Sequence, residues 1–163
     1  MKILFIGGTG NISMACTRLA LEKGMEVYHL NRGTSGIKAP SNVVSINADI
    51  KDKEKVTNLI RDLEFDVVAN FIAFKPEDVE RDFELFAGKT DQYIFISSAS
   101  AYQKPLLNPV VTESTPLKNP YWEYSRDKIA CENRLQQLSR DHDFPMTIIR
   151  PSLTYETVIP TAI

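Results

Sequence analysis

Only two cysteines and two histidines occur in the 163 residues, and the charges nearly cancel, 19 basic side chains against 21 acidic. Cys16 and Cys131 stand singly in segments of helical character far apart in the chain, which indicates neither a disulfide framework nor a zinc cluster. His29 and His142 have no partner at the spacing of a metal site or a catalytic triad, so both are read as structural or solvated and no metal is expected. A formal charge of −2 leaves no cationic surplus to neutralise a phosphate backbone, which argues against nucleic acid as the main partner. No apolar run approaches the roughly 20 residues that span a bilayer. The first residues enter an apolar run without a signal-type basic region or cleavage site, so no membrane partner is expected and the cytoplasm is the expected location. Repeats and low-complexity tracts are absent. What is present is a globular composition, 43% apolar and 25% charged, of a size suited to one domain.

Short apolar runs alternate with longer amphipathic segments, the pattern of a parallel sheet with helices on its faces. The runs predict strands over Lys2 to Ile6, Glu26 to Leu30, Val43 to Ile46, Asp66 to Phe71, Gln92 to Ser97 and Met146 to Arg150. Helices are predicted over Asn11 to Lys23, from a cap at Asp52 to Leu63, over Pro76 to Phe86 and over Tyr121 to His142. The expected fold is α/β, a doubly wound, mostly parallel, Rossmann-like sheet of order 3-2-1-4-5-6 with helices on both faces. Gly33 to Pro40 reads as an ordinary loop. Ala101 to Pro120, with four prolines and no periodicity, reads as a long structureless loop at the carboxyl edge of the sheet, where ligands bind in open α/β folds.

The first strand runs into Gly7-Gly8-Thr9-Gly10 and then a helix beginning Asn11-Ile12-Ser13. Glycine permits a tight turn and close approach of backbone to a pyrophosphate, and the helix N-terminus attracts the phosphate charge. In this strand-turn-helix context the pattern points to a dinucleotide. Its third small position is Ser13 in place of Gly, where the requirement is close packing of helix on strand. After the second strand, Asn31-Arg32 offers no carboxylate for the 2′-hydroxyl of NAD and presents a guanidinium suited to a 2′-phosphate, so NADP is favoured over NAD, with a solvated Arg32 as the alternative. Asp49 could accept from an adenine amino group or simply cap the helix that follows.

Tyr124 and Lys128 lie four residues apart on a predicted helix and so share a face. A fixed positive charge favours phenolate, which would move the tyrosine toward proton transfer near neutrality. Hydroxyls crowd the end of the fifth strand in Ser97-Ser98-Ala99-Ser100. The three groups give candidate catalytic roles: Tyr124 as general acid/base, Lys128 as its pKa modifier and a ribose ligand, and Ser98 as the donor that orients a substrate oxygen. Trp122 and Tyr121 could line a substrate mouth or merely pack at the helix entry.

In order, and over nearly the whole chain, Gly7-Gly8-Thr9-Gly10-Asn11-Ile12, Asp49-Ile50, Asn70-Phe71-Ile72-Ala73, Ser97-Ser98-Ala99-Ser100-Ala101-Tyr102, Tyr124-Ser125-Arg126-Asp127-Lys128 and Arg150-Pro151-Ser152 resemble the extended, epimerase/dehydratase-like branch of the short-chain dehydrogenase/reductase superfamily. The resemblance implies that Gly7, Thr9, Gly10, Asn11 and Ile12 hold the cofactor phosphates, that Asp49 and Ile50 face the adenine, and that Phe71, Ile72 and Ala73 line the cofactor. It implies that Ser98 is the catalytic hydroxyl and that the segment from Pro151 packs near the nicotinamide. Three departures, Gln103 for Gly, Tyr155-Glu156 for Tyr-Gly and the missing Asp after the second strand, weaken any transfer of substrate identity.

The expected function is therefore NAD(P)-dependent hydride transfer at a carbinol or ketone carbon, as in an epimerase, dehydratase or reductase, with a small-molecule substrate of the nucleotide-sugar class implied by the branch. The alternative is a non-catalytic dinucleotide-binding regulatory module or an RNA-associated member of the superfamily. Because extended members normally run to twice this length, residues 1–163 are read as an NAD(P)-binding domain without most of its substrate lobe. The apolar stretch Thr157 to Ile163 and an uncovered apolar surface then make a homo-oligomer an expectation.

Overall fold

The computed structural model describes residues 1–155; Glu156 and the stretch Thr157 to Ile163 lie outside the described residues. Among the described residues six strands form one parallel sheet: β1 (Lys2–Ile6), β2 (Glu26–Asn31), β3 (Val44–Asn47), β4 (Phe65–Asn70), β5 (Thr90–Ile96) and β6 (Met146–Ile149), in the order β3-β2-β1-β4-β5-β6. This is the expected Rossmann-like arrangement, with the order reversing between β1 and β4. Among the described residues four α-helices connect the strands, α1 (Asn11–Glu22), α2 (Lys53–Leu59), α3 (Pro76–Phe86) and α4 (Glu123–His142).

The larger core lies on one face, where Val56 and Ile60 at α2, Val79, Leu85 and Phe86 of α3, and Cys131, Leu135 and Leu138 of α4 cover Leu4, Ile6, Leu30, Val68, Tyr93 and Phe95. On the opposite face α1 contributes Ala20, with Cys16 beside it, against Ile3, Phe5, Val27 and Ala69. Alternate residues of the strands thus feed two cores, as strands buried on both sides must. None of the helices among the described residues is long and apolar enough to cross a membrane.

Three expectations are corrected. The second helix ends at Leu59 rather than Leu63: the Leu63 N–H turns back to the Ile60 carbonyl at 3.1 Å, which lets Leu63 pack against the core. The last helix begins at Glu123 rather than Tyr121, because the Tyr121 N–H is held by the Asn119 side-chain carbonyl at 3.2 Å and Trp122 remains extended. The segment from Ala101 to Pro120 is not structureless. Tyr102 and Leu117 form an antiparallel bridge, flanked by Gln103 N–H to the Pro116 carbonyl and Lys104 N–H to the Lys118 carbonyl, each 2.8 Å. Backbone pairing across the gap between prolines carries no periodic signal in sequence.

A buried carboxylate anchors the β4–α3 connection. Asp82, fully buried, accepts from the Tyr93 hydroxyl at 2.6 Å, from the Asn70 amide, and from Arg81 through Nη2 at 2.9 Å and Nε at 3.2 Å. Asn70 in turn accepts the Ile72 N–H at 2.7 Å, and Asp78 accepts the N–H groups of Phe74 and Lys75. Residues 70–75 are therefore fixed by charge-assisted bonds rather than by apolar packing alone. Replacing Asp82 with Ala leaves Arg81 with one of its two carboxylates and should lower the unfolding free energy by about 3 kcal/mol. Urea midpoints test this, and a loss under about 1 kcal/mol would contradict it.

Candidate functional site

The glycine turn is shaped by what lies against it. Gly7 has φ +79°, open to glycine at little cost, and a Cβ there would stand 2.5 Å from Cγ2 of Ile72. At Gly8 a Cβ would fall 2.4 Å from the ring of His29, which is fully buried beneath the turn. The third small position has an active role: the Ser13 hydroxyl accepts the Gly10 N–H at 2.8 Å and donates to the Gly7 carbonyl at 2.8 Å. A third glycine would leave those groups unclamped. Below Ser13, the Thr17 hydroxyl donates to the Ser13 carbonyl at 2.7 Å, so its oxygen accepts from Nε2–H of His29, also at 2.7 Å. Nδ1 of His29 then carries the lone pair and has no partner among the described residues.

A cleft of about 490 Å³ opens over this turn at the carboxyl edge of the sheet. It collects nine of the predicted residues, Gly7, Thr9, Gly10, Asn31, Arg32, Asp49, Ile50, Phe71 and Ile72, and adds Thr34, Ser35, Lys51 and Arg81. Arg81 was hidden from sequence reasoning because it is recruited by the Asp78 and Asp82 carboxylates. Asn11 and Ile12 do not line the cleft; they open α1 directly after Gly10. Arg32 is two-thirds exposed and leans on Asp49 at 4.0 Å, a contact loose enough to be exchanged for another anion. Asp49 also accepts the Lys51 N–H at 3.0 Å, whereas the cap of α2 is Asp52.

Phe74 links the cleft to a second group of residues. Its ring lies 6.3 Å from that of Tyr124 and 4.7 Å from the Lys128 ammonium. Lys128 is 1% exposed and donates to the carbonyls of Ala73 and Ile96, both at 2.7 Å. Burial pulls its pKa down to about 8. The ammonium sits 5.7 Å from the centre of the Tyr124 ring, and burial raises the phenol above its usual pKa; the group that pulls it back is the Ser98 hydroxyl. The Lys128 ammonium thus lies against the face of the Tyr124 ring while two of its N–H groups are given to backbone carbonyls. Ser98 stands two residues beyond the end of β5, and its oxygen accepts the Ser100 N–H at 3.1 Å. Ala73 enters the site through its carbonyl, and Pro151 through a carbonyl that accepts the Ala99 N–H at 2.9 Å.

Behind these groups, Glu132 is fully buried and accepts from the Ser97 hydroxyl and from Arg150, whose Nη2 is at 2.7 Å. Arg150 also donates to the Tyr102 hydroxyl at 3.2 Å. This set joins α4, β5, β6 and the 101–120 segment, and sequence reasoning missed Glu132 because its partners lie 18 and 35 residues away. His142 packs its ring 5.1 Å from Phe83. Trp122 stacks 4.8 Å from Tyr124, and Tyr121 stands exposed beside it.

Residues 1–85 match the family model described as the RmlD substrate binding domain, and residues 84–156 match that of the NAD dependent epimerase/dehydratase family. A UDP-glucose 4-epimerase of Lactobacillus helveticus is 27% identical over 169 residues, covering 92% of this chain and 51% of that protein. The chloroplast stem-loop binding protein of 41 kDa b of Arabidopsis thaliana is 31% identical over 121 residues, covering 66% of this chain and 32% of its own. Among solved structures, the UDP-Glc/GlcNAc 4-epimerase from Campylobacter jejuni superposes with a TM-score of 0.79 at 26% identity, over 91% of this chain and 52% of that one. The chain thus spans about half the length of the two epimerases and a third of the stem-loop binding protein.

Two outcomes test the turn. Gly8→Ala should cost about 1–3 kcal/mol through collision with His29, and the loss should shrink in the Gly8→Ala/His29→Ala pair; strict additivity would contradict the contact. Burial depresses the His29 pKa from 6.5 to about 4. The unfolded chain therefore takes up this proton first, so the contribution is complete above pH 6.5 and declines as pH falls toward 4. His29→Gln should flatten the stability slope across that window in acid-titrated denaturation curves.

Proposed function

The chain belongs to the extended short-chain dehydrogenase/reductase superfamily, and on that premise we propose that it binds NAD(P) along the carboxyl edge of the sheet and serves hydride transfer at a carbinol or ketone carbon. The observation that carries this reading is the continuity of the edge from the Gly7–Gly10 turn, past Phe74, to Ser98, Tyr124 and Lys128. The turn suits a pyrophosphate: side chains at Gly7 and Gly8 would collide with Ile72 and His29, so backbone alone meets the ligand, at the N-terminus of α1. Ile50 and Phe71 offer apolar walls and Asp49 an acceptor for the adenine end, while Asn31 and Arg32 stand at the ribose that distinguishes the two dinucleotides.

When bound, the dinucleotide supplies the hydride donor or acceptor. In this reading Asn11 and Ile12 complete the phosphate turn, Ala73 and Pro151 border the nicotinamide end, and Lys128 contacts its ribose. Ser98 holds the substrate oxygen and Tyr124 moves the proton at that oxygen. The half-buried phenol keeps that transfer away from bulk water. A nucleotide sugar is the proposed substrate class, by analogy with the epimerase relatives; a cytoplasmic location and a self-associating surface are part of the same proposal.

A second reading, RNA association, draws on the stem-loop binding relative. The charge of −2 and a cleft whose Arg32 and Arg81 lean on carboxylates speak for the dinucleotide. Fluorescence titration with NADPH and NADH should give sub-millimolar binding, with NADPH the tighter, and Arg32→Ser should remove that preference while sparing NADH. Absence of binding by either dinucleotide, with retention of a stem-loop RNA in a filter assay, would reverse the ranking.

A further inference from the structure

Behind Ser98 runs a line of polar side chains that the proposed reaction does not use. Asn119, buried near the end of the 101–120 segment, accepts the Tyr121 N–H through Oδ1 at 3.2 Å and donates through Nδ2 to the Ser100 carbonyl at 2.8 Å. A backbone donor at one end and a backbone acceptor at the other settle the orientation of the amide. Nδ2 also reaches the Ser125 hydroxyl at 3.3 Å, so that oxygen is an acceptor there. Ser125 is fully buried, and its single proton goes to the Ser100 hydroxyl at 2.9 Å. Ser100 accepts that bond, and the acceptor for its own O–H among the described residues is the Ser98 oxygen, 2.9 Å away. The Ser98 oxygen accepts the Ser100 N–H as well, at 3.1 Å, so both of its lone pairs are taken.

We propose that Asn119, Ser125 and Ser100 form a one-way donation chain that leaves the Ser98 hydroxyl only one use for its proton, outward to the Tyr124 oxygen or to a substrate oxygen. Asn119, Ser125 and Ser100 are thereby positioning residues. A hydroxyl free to rotate divides its time between donating and accepting, whereas this one is committed in advance to the partner on which charge develops. The inference rests on the reading of Ser98 as the oxygen-facing hydroxyl. It concerns hydrogen-bond direction alone, so it can fail while dinucleotide binding stands, or hold while that binding fails.

The test is the Tyr124 phenol in the nucleotide-free protein, titrated by carbon NMR with ring-labelled tyrosine and assigned by the resonance lost in Tyr124→Phe. In Ser125→Ala, Ser100 regains a free lone pair, Ser98 can turn its proton inward, and the Tyr124 midpoint should rise by about half a unit or more. Ser125→Thr keeps the hydroxyl and should leave the midpoint near that of the parent. The decisive variant is Ser125→Ala/Ser100→Ala. With no inward acceptor left, Ser98 must donate outward again and the midpoint should return toward the parent value, although more of the chain has been removed. A simple packing defect would grow in the double variant. Ser125→Cys, a weak donor of similar size, substitutes if Ser125→Ala fails to fold and should raise the midpoint likewise. An unchanged midpoint in the single variant, or a further rise in the double one, overturns the proposal.

Discussion

An ammonium group that is 1% exposed must find acceptors inside the protein, and those of Lys128 decide how the working edge of this sheet is assembled. Its two carbonyl partners belong to Ala73, in the β4–α3 connection, and to Ile96, the last residue of β5. One side chain therefore fixes α4 against two neighbouring crossovers, and Tyr124, one turn earlier on the same helix, is set over Phe74 as a consequence. Phe95 receives the same ammonium on its ring at 4.7 Å, so the apolar wall contributes as well. A charge that would be costly in a plain core is made tolerable by geometry that also faces the site.

Two further buried charges extend this scheme on either side. Asp82 holds the connection that carries Phe71, Ile72 and Ala73, and Glu132 holds the ends of β5 and β6 through Ser97 and Arg150. The three groups lie on α3 and α4, the helices that cover the same face of the sheet. Carboxylates and an amine buried at helix positions that would otherwise be apolar are thus spent on loop placement. The opposite end of the edge relies on a neutral device, in which Ser13, Thr17 and His29 stack under the glycine turn through hydroxyl and imidazole bonds.

The parts readable from sequence are those whose signal is local. The Gly7–Gly10 turn lies between a strand and a helix that both announce themselves, and Tyr124 and Lys128 lie one helical turn apart. The ends of the second and last helices, the pairing of Tyr102 with Leu117, and the partners of Asp82 and Glu132 were not readable in this way. Each depends on a contact with a residue remote in the chain or on a single side chain, such as Asn119 before α4, that leaves no periodic trace. The same reason explains Lys128: spacing correctly puts it on the face of Tyr124, but only the fold shows its ammonium turned to two carbonyls.

Binding as proposed lays one nucleotide along the whole carboxyl edge, from the glycine turn to the Tyr124 end. Amide chemical-shift mapping during addition of NADPH or NADH tests it most directly. The amides of Gly7, Gly8, Thr9, Gly10, Ile50 and Ile72 should shift together with those of Ala73, Ser98 and Lys128, on one binding curve, while amides at the opposite edge near Asp66 and Asp91 stay still. Shifts confined to the opposite edge, or to the glycine turn without the Ser98 and Lys128 end, would contradict it.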